Sequence, residues 1–235
     1  LGTVSSSIVK FWRISDGKCL CTLEHEAYVC SIAVSADGSV MATGTGLPDC
    51  QIRLWSMPDG ALIHAVQASQ AEVRHLSFSP DGSLIASGGD RVRIWHVSDG
   101  KRVNTLRTGQ TGPGCVTNSA AFSPDMATLA VGCGAQHGLV QLFNVQDGKC
   151  VCRFDEQEMV LRLAFSPDGR ILAVGTYEGM ICLRRVSDGK RLCAVTHDDA
   201  EFIWAIAFSP DGSTFATGGT CEFGKGDDVR LWKIV

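Results

Sequence analysis

One tight turn returns five times in this chain: VSADG at 34–38, FSPDG at 78–82, FSPDM at 122–126, and FSPDG at 165–169 and 208–212. In the copy at 78–82 proline presets φ and glycine supplies a φ > 0 position, so the chain reverses between two short apolar runs. A second turn interleaves with it: SDGK at 15–18, PDGA at 58–61, SDGK at 98–101, QDGK at 146–149 and SDGK at 187–190. The stretch 73–106, VRHLSFSPDGSLIASGGDRVRIWHVSDGKRVNTL, shows the whole module. Residues 73–79 run into the first turn and 84–87 return from it; Val92 and Ile94 then alternate with Arg91 and Arg93 up to Trp95, at the period of a half-buried strand. After the second turn 102–106 makes a fourth strand. The residue closing the third strand is Trp12, Trp55, Trp95, Phe143, Arg184 and Trp232 in successive copies, 40 to 48 residues apart.

Four antiparallel strands in that length make one blade of a β-propeller. The copies fall at 1–23 (partial), 24–66, 67–106, 107–154, 155–195 and 196–235 (lacking its outer strand). FSPDG, the small-residue ends of the second strand (ATG, ASGG, AVG, ATGG) and V-R-[IL]-W together resemble the WD40 repeat family across essentially the whole chain. The resemblance implies an all-β, WD40-type propeller of four-stranded antiparallel blades. The chain departs from the pattern in having no Asp after the closing residue, where Arg13, Ser56, His96, Asn144, Arg185 and Lys233 stand instead. The family's Gly-His before the first strand survives as His25 and His197. Its buried His, Ser/Thr, Asp, Trp hydrogen-bond chain is therefore expected to be incomplete in most blades, which should lean on apolar packing. The partial copies suggest an arc of a seven-bladed propeller, five nearly complete blades plus a truncated N-terminal one, with an unpaired edge at 229–234. The alternatives are a six-bladed ring, or a five-bladed ring in which 18–23 completes the last blade.

With 235 residues and 45% apolar content the chain can bury a large core as one all-β domain. A net charge of −4 argues against a general polyanion-binding surface, so nucleic acid is not favoured. The sequence has no long apolar run, no basic-then-apolar leader and no N-x-[ST] site, which leads to an expectation of no membrane partner and a cytosolic or nuclear location. Of the eleven cysteines, Cys19, Cys21, Cys150, Cys152 and Cys193 fall on fourth strands, where they should behave as small hydrophobes and free thiols. The C-x-C pairs at 19/21 and 150/152 lack the spacing and partners of a zinc site.

GTCEFGK at 219–225 has the spacing of a phosphate-binding loop. Lys225, however, is followed by Gly226 rather than Ser or Thr, and the next element is a strand rather than a helix, so an enlarged loop is the better reading and no cofactor is expected. Arg184, Arg185, Lys190 and Arg191 form the densest basic cluster, and at the edge of a turn such charges are expected to be solvated. Histidines 25, 64, 75, 96, 137 and 197 show no metal or nucleophile spacing. No catalytic constellation emerges, which reads as a non-enzyme.

The two repeated turns hardly vary and share one face of a propeller. The other connections, opening on the opposite face, vary in length and chemistry, among them TGLPDC (45–50), RTGQTGPGC (107–115), GCGAQHG (132–138), TYEG (176–179) and TCEFGKGDD (220–228). Function is expected on that face. The first strand is innermost in each blade, so residues near its start should border the channel mouth. Counting back from the strand's end gives Tyr28 and Cys30, Glu72 and Arg74, Val116 and Asn118, Met159 and Leu161, and Phe202 and Trp204. In the resembled family such positions commonly contact a partner side chain. They divide into an apolar group (Tyr28, Met159, Leu161, Phe202, Trp204, with Tyr177 beside it) and a polar one (Glu72, Arg74, Asn118). This suits a scaffold for a protein or peptide partner offering one apolar anchor beside a polar group. The other reading is an enzyme or small-ligand binder using the channel as its pocket.

Overall fold

The Ser-x-Asp turns close through their own side chains. Ser35, Ser79, Ser123, Ser166 and Ser209 each donate from Oγ to the aspartate two residues on, at 2.5–2.6 Å. Each aspartate also accepts the backbone N–H two residues further, at 3.0 Å. The serine oxygen in turn accepts the first N–H of the returning strand, as with Val40 and Leu84 at 2.9 Å. Three hydrogen bonds from two side chains fix the reversal, which accounts for its recurrence. Gly38, Gly82, Gly169 and Gly212 complete it with φ of 71–73°, and in the remaining copy Met126 is forced to φ 61°.

The computed structural model describes residues 2–108, 117–134, 137–197, 202–220 and 227–234. Val116 and the loop segment 221–226 lie outside them. Among the described residues, twenty-two strands form six antiparallel sheets, in two units, Leu1–Arg107 and Thr108–Val235.

In the first unit, β1 (Gly2–Ser5), β2 (Ile8–Trp12) and β3 (Cys19–Glu24) form the first sheet. The second contains β4 (Val29–Val34), β5 (Val40–Thr45), β6 (Gln51–Ser56) and β7 (Ala61–Gln67), and the third β8 (His75–Phe78), β9 (Leu84–Gly88), β10 (Val92–His96) and β11 (Arg102–Leu106). β3 pairs with β2, so residues 18–23 complete the first sheet, not the last one. Val9 and Leu23 pack with Val29, Met41 and Trp55 of the second sheet; Ile52 and Leu54 pack with Val73, Leu76, Ile85 and Trp95 of the third.

In the second unit, β12 (Thr117–Phe122), β13 (Thr128–Cys133), β14 (Gly138–Asn144) and β15 (Cys150–Glu156) form the fourth sheet. β16 (Val160–Phe165), β17 (Ile171–Thr176), β18 (Met180–Arg185) and β19 (Arg191–Thr196) form the fifth, and β20 (Phe202–Phe208), β21 (Thr214–Thr220) and β22 (Asp227–Lys233) the sixth. Val140 and Leu142 pack under Val160, Leu163, Leu172 and Val174, while Ile181 and Leu183 pack under Ile203 and Phe215. The packing rule is the same in both units: alternate residues of a third strand lie against the first two strands of the following sheet.

Every closing residue that is followed by a fourth strand, Trp12, Trp55, Trp95, Phe143 and Arg184, sits at a register shift of its ladder. Trp55 Nε1 donates to Thr43 Oγ1 at 2.9 Å and His25 Nε2 lies 2.8 Å from the same oxygen, while His25 Nδ1 faces the Ser7 carbonyl at 3.2 Å. A carbonyl can only accept, so Nδ1 carries the proton and Thr43 donates to Nε2. Burial pushes the pKa of His25 down, which keeps it neutral. In the sixth sheet Trp232 Nε1 donates to Thr217 Oγ1 at 2.8 Å, with His197 beside it at 3.5 Å. Trp95 donates to Ser87 and Trp12 to Thr3. Where the indole is missing the hydroxyl is missing too: Trp55 pairs with Met41 and reaches Thr43 two residues further, and the matching positions beyond the partners of Phe143 (Leu129) and Arg184 (Leu172) are Val131 and Val174.

The fifth sheet departs from the expected apolar substitute. Arg184 is half-buried, its Nε donating to buried Glu156 at 2.6 Å and its Nη1 to the Gly189 carbonyl at 2.9 Å, with the guanidinium 4.4 Å over the Phe154 ring. The basic cluster is therefore split, with Arg184 facing inward and Arg185 pairing with Asp188 at the surface. The thiols are also less uniform than expected: Cys50, Cys133 and Cys182 are buried, while Cys150 and Cys193, on outer strands, are exposed.

Candidate interaction surface

A one-residue register shift at the start of the first strand recurs in four sheets: between Val29 and Ser31, Thr117 and Ser119, Val160 and Arg162, and Ile203 and Ala205. Cys30, Asn118, Leu161 and Trp204 are the extra residues. A bulge of this kind re-aims side chains and breaks strict alternation. The fate of these four positions therefore differs from sheet to sheet.

In the first unit, Tyr28 precedes β4 and Glu72 precedes β8. The Tyr28 hydroxyl donates to Glu72 Oε1, and Arg74 donates from Nε and Nη2 to Glu72 Oε2 at 3.0 Å. The Tyr28 ring lies against the backbone of Gly46, where a Cβ would stand 2.2 Å from the ring, so only glycine leaves room for it. The shared hydrogen bond lowers the pKa of Glu72 and raises that of Tyr28 to about 12. Cys30 is half-buried, and desolvation pushes its thiol up to about 11, well away from a reactive thiolate. Tyr28 is 43% exposed, and this acid-clamped Tyr–Arg pair is a polar surface with an aromatic face.

In the second unit, Tyr177, Phe202 and Trp204 form one aromatic group. Phe202 meets the Tyr177 ring edge-on at 4.5 Å and stacks on Trp204 at 5.7 Å. Trp204 Nε1 donates to Thr220 Oγ1 at 2.9 Å, which anchors an indole that is 45% exposed. Tyr177 opens the β17–β18 turn, where Glu178 and Gly179 have φ of 60° and 70°, the two positive φ values of a tight hairpin. Met159 accepts the Tyr177 N–H through its carbonyl at 2.9 Å.

Leu161 is a correction. It is 3% exposed and offers no surface, because the bulge turns it inward and brings Arg162 out in its place. Arg162 Nε donates to the Trp204 carbonyl at 2.6 Å, and Nη1 donates to the Leu161 and Asn118 carbonyls at 2.7 and 3.4 Å. Its guanidinium lies 5.8 Å over the Trp204 ring. Asn118 Nδ2 donates to the Val160 carbonyl at 3.0 Å, so Asn118 joins β12 to β16. Sequence counting missed Arg162 since it assumed unbroken alternation. Among the described residues no group of His, Cys, Asp and Glu could hold a metal ion.

The WD domain, G-beta repeat profile matches residues 17–56, 60–96, 148–184 and 189–233, more than half of the chain. The chain belongs to the WD40 repeat family. WD40 repeat proteins are generally non-catalytic scaffolds for protein–protein interaction, and this WD40 chain falls in that general class. It is 28% identical over 149 residues to apoptotic protease-activating factor 1 of Rattus norvegicus, covering 60% of this chain and 11% of the relative. Over 139 residues it is 30% identical to small ribosomal subunit protein RACK1 of Caenorhabditis elegans, covering 53% of this chain and 40% of the relative. It also matches cell division cycle 20.5, cofactor of APC complex, of Arabidopsis thaliana, at 30% over 98 residues, 41% of this chain and 22% of the relative. The WD40 chain thus spans well under half the length of these curated relatives.

Proposed function

We propose that this chain is a docking scaffold for a protein or peptide partner within a larger assembly, engaged through the starts of the first strands. Each unit contributes its own group: Tyr28, Glu72 and Arg74 in the first, Tyr177, Phe202 and Trp204 in the second, with Cys30, Asn118 and Met159 beside them. The observation that carries the reading is Trp204. Large aromatics are mostly buried, whereas this indole is 45% exposed and yet held in one orientation by Thr220, Phe202 and Arg162. A rigid exposed aromatic costs little entropy to bury against a partner and is the commonest kind of binding hot spot. The relatives are described as a cofactor of the APC complex and a small ribosomal subunit protein, and a role inside an assembly fits such company. Cysteines placed for strand packing rather than for loop staples suit the cytosol or nucleus as the place of work.

Affinity capture from cell extract, followed by quantitative mass spectrometry, tests it. Trp204→Ala and Arg74→Glu should each reduce capture of partner proteins while retaining the wild-type melting profile, and Arg170→Glu, on the repeated-turn face, should capture as wild type. If Trp204→Ala unfolds the protein while Arg74→Glu captures as wild type, these residues are core and the reading fails.

A further inference from the structure

Arg162 differs from Arg53, Arg93 and Arg184, which are likewise half-buried, in what it faces. Arg53 meets Asp49 at 2.9 Å, Arg93 meets Asp90 at 2.8 Å and Arg184 meets Glu156 at 2.6 Å. The hydrogen bonds of Arg162 go instead to three neutral backbone carbonyls, of Trp204, Leu161 and Asn118. Those bonds use Nε and Nη1, and among the described residues Nη2 has no partner and no carboxylate stands within ion-pair distance. Carbonyl dipoles orient a guanidinium without neutralising it, so the site keeps a net positive charge in a partly desolvated setting where charge interactions are strengthened. The charge lies directly beside the Trp204 face and next to the Phe202 and Tyr177 rings.

We infer that the segment docking on this aromatic group is an acidic one, presenting an Asp or Glu carboxylate to Arg162 Nη2 while an adjacent aliphatic or aromatic side chain packs on Trp204. This rests on the docking role proposed above and adds the chemistry of the partner. The carbonyls hold the fork so that only one nitrogen remains to be used, which matches one carboxylate oxygen. A phosphate ordinarily recruits several cations, and Arg162 is the single cation contacting the aromatic group among the described residues. The carboxylate supplies the charge that the carbonyls do not, and the apolar neighbour supplies burial.

Fluorescence anisotropy with labelled dodecapeptides tests this. One peptide carries Asp-Leu-Asp in a Gly/Ser frame, a second carries Asn-Leu-Asn, and a third carries phosphoserine in place of both aspartates. The acidic peptide should bind about tenfold more tightly than the Asn peptide at low salt, with the gap narrowing as salt is raised. Arg162→Gln should abolish that preference, and Arg162→Lys should retain part of it. Should Arg162→Gln fail to fold, the peptide comparison on the wild-type protein still decides. Equal binding of the Asp and Asn peptides, both lost in Trp204→Ala, would overturn the acidic inference and leave the docking role standing. Preference for the phosphoserine peptide alone, or binding by none of the three, would overturn the inference as well.

Discussion

Arg184 and Glu156 form an ion pair, 2.6 Å from Nε to Oε1, at the two positions where the second sheet places Trp55 and His25. Glu156 stands four residues before Val160, as His25 stands four before Val29, and Val174 replaces the Thr43 hydroxyl between them. A three-membered neutral chain has become a two-membered charged one in the same framework. Removing one partner strands a buried charge. Arg184→Met is expected to cost about 3–5 kcal/mol in urea denaturation, and Glu156→Leu with Arg184→Met together should recover most of that loss. Additive losses would show the two side chains to be uncoupled.

Met126 occupies the turn position that glycine holds in the other four copies, at φ 61°. The left-handed conformation penalises any residue with a Cβ, and Met126 buries little in return, being 37% exposed. Met126→Gly should therefore stabilise the chain by about 1 kcal/mol, read as a shift of the denaturation midpoint at constant slope. Met126→Ala should give no gain.

Thr43 serves two buried groups at once, accepting from Trp55 and donating to His25. Thr43→Val preserves shape but orphans the indole N–H, and should cost about 1–3 kcal/mol. Thr43→Ser, which keeps the hydroxyl as the third sheet does with Ser87, should cost less.

The turn aspartates Asp37 and Asp211 have pKa values lowered to about 2, first by the hydrogen bonds of Ser35 and Ser209. A depressed carboxylate stabilises the fold above its unfolded pKa of about 4, and that contribution is lost as pH falls toward 2. His25 acts in the same direction at higher pH: its folded pKa is lowered by burial, so the unfolded chain takes up the proton first and stability falls on acidification below about 6.5. Melting temperature should accordingly decline in two stages as pH is lowered. Ser35→Ala with Ser209→Ala should flatten the lower stage, and His25→Gln the upper.

Leu183 and Leu231 hold the same place in V-R-L-W-type strands, yet Leu183 is 5% exposed and Leu231 80%. Ile203 and Phe215 cover the first. Thermal denaturation should register a loss of about 2–5 kcal/mol for Leu183→Ala and under about 0.5 kcal/mol for Leu231→Ala.

The sequence by itself determined the repeat, its strands and its two recurring turns, because those depend on neighbours a few residues apart: a serine, an aspartate and a residue able to adopt positive φ. The placement of Tyr28 with Glu72 followed from the same periodicity, since equivalent positions in adjacent repeats end up side by side, and Tyr177, in the turn of one repeat, meets Phe202 at the start of the next. Tertiary structure alone decided which way the first-strand residues point. A single bulge turned Leu161 in and Arg162 out, and its register comes from pairing with β17, a partner ten or more residues away. The inward fate of Arg184 likewise depended on Glu156, 28 residues earlier, supplying a carboxylate at the end of the neighbouring strand. Whether a charge is solvated or buried is set by what the rest of the chain brings to meet it, and local pattern carries no record of that.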